Sequence, residues 1–229
     1  MNTIFCMTNM KFKYYLFDLD GTVTDTKQGI TKSVEYALES IGEKVENLDD
    51  LLPFIGPPLR DSFQKYYSAT PELAETLINK YRERYAEKGV YECSLYDGAK
   101  ELLRKLKENG AVIALATSKP TIFAKQILDM FEITDCFDEI VGCELDGTRD
   151  SKNEVIEEVL KRLDISGEKC NKTVMIGDRN FDILGGKHFS LKTIGLELGF
   201  APEGELEECA PDFIAKDYKA LENYIFDEP

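Results

Sequence analysis

The chain has 229 residues, 43% of them hydrophobic and 31% charged, an ordinary soluble balance long enough to bury a real core as one large domain or two small ones. A formal net charge of −15 argues against a polyanion-binding surface, since nucleic-acid binding draws on phosphate neutralisation by Lys and Arg. A small anionic substrate is compatible with that charge, because one metal ion or lysine inverts the field of a single pocket.

In chain order, the opening MNTIFCMTNMKFK lacks the apolar core and cleavage site of a signal peptide and reads as a short, disordered extension, with Met10 an alternative start. The run YYLFD is a buried strand that ends on Asp18, with Asp20 and Gly21 just beyond it. GITKSVEYALESIG then sets Ile30, Val34, Leu38 and Ile41 on one face of a helix. LLPFIGPPLRDSFQKYY is a loop with three prolines leading into a second helix, and PELAETLINKYRERYAEKG is a third, with Pro71 near its first turn. No strand signal interrupts this stretch, so residues 26–94 read as a helical insert, and 11–25 with 95–229 as the domain that surrounds it.

After the insert the rhythm changes. AKELLRKLKENG is a helix closed by Gly110, AVIALATS a strand, TIFAKQILDMF a helix and FDEIVGCE a weaker strand. KNEVIEEVLKRLD, TVMIGD and LKTIGLELG continue as helix, strand and strand. The acidic C-terminal segment holds a last strand, DFIAKD, and a closing helix, its acids forming a solvated face. Alternating strands and helices imply a doubly wound, Rossmann-like parallel sheet of α/β class. No apolar run approaches the ~20 residues of a membrane span. The six cysteines are scattered with no C-x-x-C pair, as expected of free thiols in a cytoplasmic protein, and the single histidine, His188, cannot build a multi-histidine metal site.

Ligands of an open parallel sheet bind beyond the carboxyl ends of its strands. Those ends carry Asp18 and Asp20 on the first strand, Thr117 and Ser118 on the second and Asp178 on the third. Aspartate, threonine and serine also cap helices, which accounts for such residues singly. It accounts poorly for FDLDGT, where extended geometry turns Asp18 and Asp20 the same way and two nearby carboxylates call for a cation or a shared proton.

DLDGT, ATSK, a lysine opening a helix and GDRNFD, in that order, resemble the four motifs of the haloacid dehalogenase superfamily, most closely its phosphoglycolate phosphatase-like branch with a helical cap. The resemblance implies Asp18 as nucleophile, Asp20 as general acid and base, and Thr117 as a phosphoryl-oxygen ligand helped by Ser118, Gly21 and Thr22. It implies Lys152 as the lysine that neutralises charge on the phosphate and the nucleophile, with Lys119 also within reach of the phosphate, and Mg²⁺ held by Asp18, the Asp20 main-chain carbonyl, Asp178 and Asp182. Relatives often place proline after the third-motif lysine, where this chain has Asn153.

Asp20 separates the reactions of the superfamily, because its dehalogenases and phosphonatases lack an acid at that place. Phosphate ester hydrolysis is favoured, with a β-phosphoglucomutase-like sugar-phosphate mutase, a nucleotidase or a pyrophosphatase as alternatives. A non-enzymatic regulatory subunit would be expected to have lost these residues. Arg60, in the cap loop FIGPPLRDSF, either pairs with a second anionic group of the substrate or is a solvated helix-start arginine. The partner expected is a small phosphorylated metabolite, bound by a monomer or weak homodimer. LDGT recurs at residues 145–148, where Asp146 and Thr148 are expected to shape a loop.

Overall fold

Tyr15, Leu16 and Phe17 leave β1 (Tyr14–Phe17) alternately on opposite faces of a parallel sheet, and all three are fully buried. In the computed structural model, which describes residues 10–226, Leu16 joins Ala114, Met175, Val155, Ile156 and Val159 on one face. Tyr15 and Phe17 join Ile113, Leu115, Val174 and Ile176 on the other. A sheet buried on both faces needs continuous apolar strands, which is why these segments stand out in the sequence.

Chain order continues with β2 (Thr24–Asp25), α1 (Lys27–Glu39), α2 (Leu59–Tyr67), α3 (Pro71–Glu87), β3 (Ser94–Leu95), α4 (Ala99–Glu108), β4 (Val112–Pro120), α5 (Thr121–Met130) and β5 (Glu139–Cys143). Then come α6 (Lys152–Arg162), β6 (Thr173–Gly177), α7 (Asn180–His188), β7 (Lys192–Leu196), α8 (Glu205–Cys209), β8 (Phe213–Ala215) and α9 (Tyr218–Phe226). The six-stranded sheet runs β5-β4-β1-β6-β7-β8, every pair parallel. Strand β1 sits between β4 and β6, the switch point at which such sheets bind ligands. Phe17 is in register with Leu115 on one side and Ile176 on the other, so the residues just beyond them reach the same edge.

Two readings of the insert change. Helix α1 ends at Glu39, and Gly42 turns the chain at φ +84 with its N–H donating to the Glu39 carbonyl at 3.0 Å. Ile41 therefore lies in the terminating turn, 41% exposed, while Ile30, Val34 and Leu38 are buried as expected. The entry and exit of the insert are also paired: β2 and β3 form a two-residue antiparallel ladder, Thr24 opposite Leu95 and Asp25 opposite Ser94. Neither segment carries enough alternation to announce a strand. Helix α8 is a further element that the acidic C-terminal segment did not reveal.

Among the described residues no helix is long and apolar enough to cross a membrane, and Cys93, Cys136, Cys143, Cys170 and Cys209 are free thiols. The opening segment before Met10 lies outside the described residues.

Candidate active site

Beyond Phe17 the Asp18 N–H continues the ladder by donating to the Ile176 carbonyl at 2.9 Å, which fixes the Asp18 backbone at the sheet edge. The chain then folds into a tight turn. Gly21 adopts φ +82 and donates to the Thr24 carbonyl at 2.8 Å, and Val23 donates to the Leu19 carbonyl at 2.9 Å. Asp18 and Asp20, before and within the turn, both line one cavity of about 160 Å³.

Each of these aspartates has its own lysine. Lys152 Nζ lies 2.9 Å from Asp18 Oδ1 and 2.8 Å from Asp182 Oδ1, and donates to the Ala116 carbonyl at 3.0 Å. Lys119 Nζ donates to Asp20 Oδ2 at 2.7 Å and sits 4.8 Å over the Tyr85 ring. Burial disfavours charge on both lysines, yet Asp18 and Asp182 lift Lys152 above its ordinary value and Asp20 lifts Lys119. Two cations thus compensate the paired carboxylates, and the lysines divide the work. Lys152 is held in place because Ser151 and Glu154 form a capping box around it: the Glu154 N–H donates to Ser151 Oγ at 3.3 Å and the Ser151 N–H to Glu154 Oε2 at 3.0 Å. Helix α6 therefore starts on Lys152, with Asn153 as its second residue.

Asp178 follows β6 and is fully buried. Its Oδ2 accepts the Phe200 N–H at 2.7 Å and its Oδ1 the Thr22 hydroxyl at 3.3 Å. Asp182, one turn into α7, accepts the Arg179 N–H on Oδ2 at 3.1 Å and turns Oδ1 to Lys152. Oxygens of Asp18, Asp178 and Asp182 lie within 4.8 Å of one another. Burial, reinforced by Asp182 and Asp18, drives the Asp178 carboxyl far above the usual range, and burial also raises Asp182. Three buried carboxylates against one lysine leave a net negative cluster of oxygen donors, which fits a hard divalent cation such as Mg²⁺.

Thr117 is buried on β4, and its Oγ1 accepts the Lys119 N–H at 3.2 Å. Neither Thr117 nor Asp178 caps a helix: Pro120 precedes α5 and Arg179 precedes α7. Ser118 and Lys119 line the cavity with Thr117. Thr22 is committed to Asp178, and neither it nor Gly21 is among the cavity-lining residues. Arg60 is at the cavity and is ion-paired with Glu75 on α3, both side chains half exposed. In the second LDGT the Thr148 N–H donates to Asp146 Oδ1 at 2.9 Å, a contact that shapes the loop.

The insert supplies the opposite wall, including Phe54, Tyr81 and Tyr85, with Phe123 from α5. Tyr81 and Tyr85 stack at 5.2 Å with their planes 11° apart. Three residues escaped the sequence reading. Arg82 donates to the Leu145 carbonyl at 3.2 Å, and both residues line the cavity. Arg179 Nε donates to Glu205 Oε1 at 2.8 Å and Nη1 to the Ile55 carbonyl at 2.5 Å. Glu205 belongs to the acidic segment expected to be a solvated face, yet it accepts Arg179 and the Asn180 N–H at 3.0 Å. Arg179 lies inside the GDRNFD motif, a signal that was available; nothing in the local pattern marks Glu205 or Arg82.

The family profile described as haloacid dehalogenase-like hydrolase matches residues 15–196. A Pseudomonas aeruginosa protein named 5'-nucleotidase is 40% identical over 216 residues, 94% of this chain and 96% of its own length. A putative pyrophosphatase PpaX from Caldanaerobacter subterraneus is 32% identical over 209 residues, covering 91% and 92% of the two chains. The crystal structure of a predicted phosphatase from Clostridium acetobutylicum superposes with a TM-score of 0.89 at 42% identity, covering 93% of this chain and 97% of that one.

Proposed function

This chain belongs to the haloacid dehalogenase-like hydrolases and is a phosphatase-type hydrolase, and from that premise we propose a Mg²⁺-dependent phosphatase that cleaves a small phosphate monoester through an aspartyl-phosphate. The observation that carries it is Asp18 at the cavity floor, 2.9 Å from Lys152 and grouped with Asp178 and Asp182.

In this reading an Asp18 oxygen attacks phosphorus, the ester P–O bond breaks, and Asp20 passes a proton to the departing oxygen. Water then attacks the phosphoaspartate, Asp20 takes its proton, and inorganic phosphate leaves. Lys119 keeps the Asp20 carboxylate turned into the cavity. Lys152 neutralises charge beside Asp18, and Thr117 with Ser118 holds phosphoryl oxygens. Asp18, Asp178, Asp182 and the Asp20 main-chain carbonyl would hold Mg²⁺, which when bound supplies charge neutralisation for the transferring phosphoryl group. Residues 26–94 act as a cap that admits substrate and excludes water. The enzyme works in the cytoplasm as a monomer or weak homodimer.

The leaving group in this reading is small, as in phosphoglycolate. Nucleoside monophosphates are the second reading: Phe54, Tyr81, Tyr85 and Phe123 place aromatic carbon on the wall, and the Pseudomonas aeruginosa relative carries the name 5'-nucleotidase.

The test is phosphate release from phosphoglycolate, nucleoside monophosphates, sugar phosphates and pyrophosphate, with and without Mg²⁺, in wild type and Asp18→Asn. Release that requires Mg²⁺ and falls at least ~10³-fold in the variant is expected. No release from any compound would sink the phosphatase reading and turn attention to a hexose phosphate with its bisphosphate.

A further inference from the structure

Arg179 is not among the cavity-lining residues, yet it is a firmly anchored cation close to them. Its residue exposure is 7%, and its Nε and Nη2 donate to the two oxygens of Glu205 at 2.8 Å and 3.3 Å. That fork-to-fork pairing fixes the guanidinium plane. The remaining Nη1 then points out of the sheet domain into the insert, where it donates to the main-chain carbonyl of fully buried Ile55 at 2.5 Å. Gly56 follows at φ +104, and a Cβ built there would come within 3.2 Å of Arg179 Cγ and Nη1, so the loop backbone lies directly against the arginine.

The contact joins two parts of the molecule that matter differently. Ile55 opens the segment whose Gly56, Pro57 and Pro58, with Leu59 and Arg60 at the start of α2, line the cavity. Arg179 lies between Asp178 and Asp182 in sequence, and its own N–H holds Asp182. We infer that Arg179, braced by Glu205, is a positioning residue that holds the 54–60 loop over the cavity and sets the fit of the leaving group.

This rests on the phosphatase reading only for its kinetic consequence. A lysine retains the charge beside Asp178 but has no planar fork, so it cannot hold Glu205 on two nitrogens and the Ile55 carbonyl on a third. If only charge mattered, Arg179→Lys would match wild type.

The experiment is hydrogen–deuterium exchange on the full chain, comparing wild type with Arg179→Lys, Arg179→Met and Glu205→Gln, alongside steady-state kinetics on the best substrate. Exchange at the amides of Phe54, Ile55, Gly56, Leu59 and Arg60 (Pro57 and Pro58 carry none) is expected to quicken at least about tenfold in both Arg179 variants and less in Glu205→Gln, with β4 and α1 peptides unchanged. KM should rise more than kcat falls. Loop exchange at the wild-type rate in folded Arg179→Lys overturns the inference, as does quickening in Arg179→Met alone, since that would trace the effect to charge. If wild type releases phosphate from nothing, the phosphatase reading fails, while the exchange rates still decide whether Arg179 holds the loop.

Discussion

A methyl group on Gly21 would lie 2.2 Å from Asp178 Oδ2, and one on Gly199 would lie 2.1 Å from the same oxygen. Two chain segments thus close on one carboxylate, and only residues without a side chain leave room for it. Gly21 carries a second constraint in its φ of +82, which costs an ordinary residue roughly 1–2 kcal/mol. Gly42 separates the two effects, since it adopts φ +84 with nothing within 4 Å of its Cβ position. Gly42→Ala should therefore lose only about 1 kcal/mol of stability. Gly21→Ala should lose clearly more and reduce phosphate release at least about tenfold, because Asp178 must move. Equal thermal shifts for the two variants would refute the crowding account. Both aspartates of the first motif were legible as a pair from their spacing. Lys152 beside Asp18 was expected from the family resemblance; that Asp20 would have a lysine of its own was not, since Lys119 is brought to it from 99 positions away.

At the scale of elements, helices α1 and α3 and the return of the insert are tied together by one carboxylate. Glu92 accepts Arg84 Nη1 at 2.8 Å and Nη2 at 3.1 Å, and Lys32 Nζ at 3.3 Å. The Arg84 hydrogen bonds hold the Glu92 carboxyl below its usual value against the opposing effect of burial, with Lys32 adding to them. A depressed carboxyl contributes stability that is present above the unfolded-state value of ~4.3 and is lost as pH falls through the folded-state value. Glu92→Gln should accordingly be less stable than wild type by about 1 kcal/mol at pH 7. The gap should narrow once pH falls below the unfolded-state value of ~4.3 and close below the lower folded-state value, where the wild-type carboxyl is protonated in both states. Thermal unfolding across pH checks this, and a gap independent of pH would assign the loss to packing. The long helices were readable because apolar residues recur at three and four. The β2–β3 pairing was not, because two residues are too few to show alternation and their partners lie 71 and 69 positions apart.

For the whole molecule, the apolar interior is continuous across the boundary of the insert. Tyr85 on α3 packs edge-on against Phe123 on α5 at 5.3 Å, and one buried cluster runs from Val34 and Leu77 through Phe123 to Leu115 and Ile176. Shared burial couples the stabilities of the two parts. Calorimetry should therefore show one unfolding transition, with the insert and the sheet melting together. Two resolved transitions would mean that the cluster contributes little coupling. Arg82 and Arg179 add polar links across the same boundary, each ending on a main-chain carbonyl.

Short-range physics carried much of the result. Apolar strands buried on both faces, helical spacing, and acids or hydroxyls at strand ends are properties of a few neighbouring residues, so sequence by itself determined the parallel α/β architecture and the residues at its switch point. The four motifs in order determined the family. Only the tertiary structure decided that Lys119 serves Asp20, that Thr22 braces Asp178, and that Arg179 reaches from one part of the fold to the other. Those contacts join groups distant along the chain, and their partners are fixed by strand register and helix packing, which no local pattern encodes.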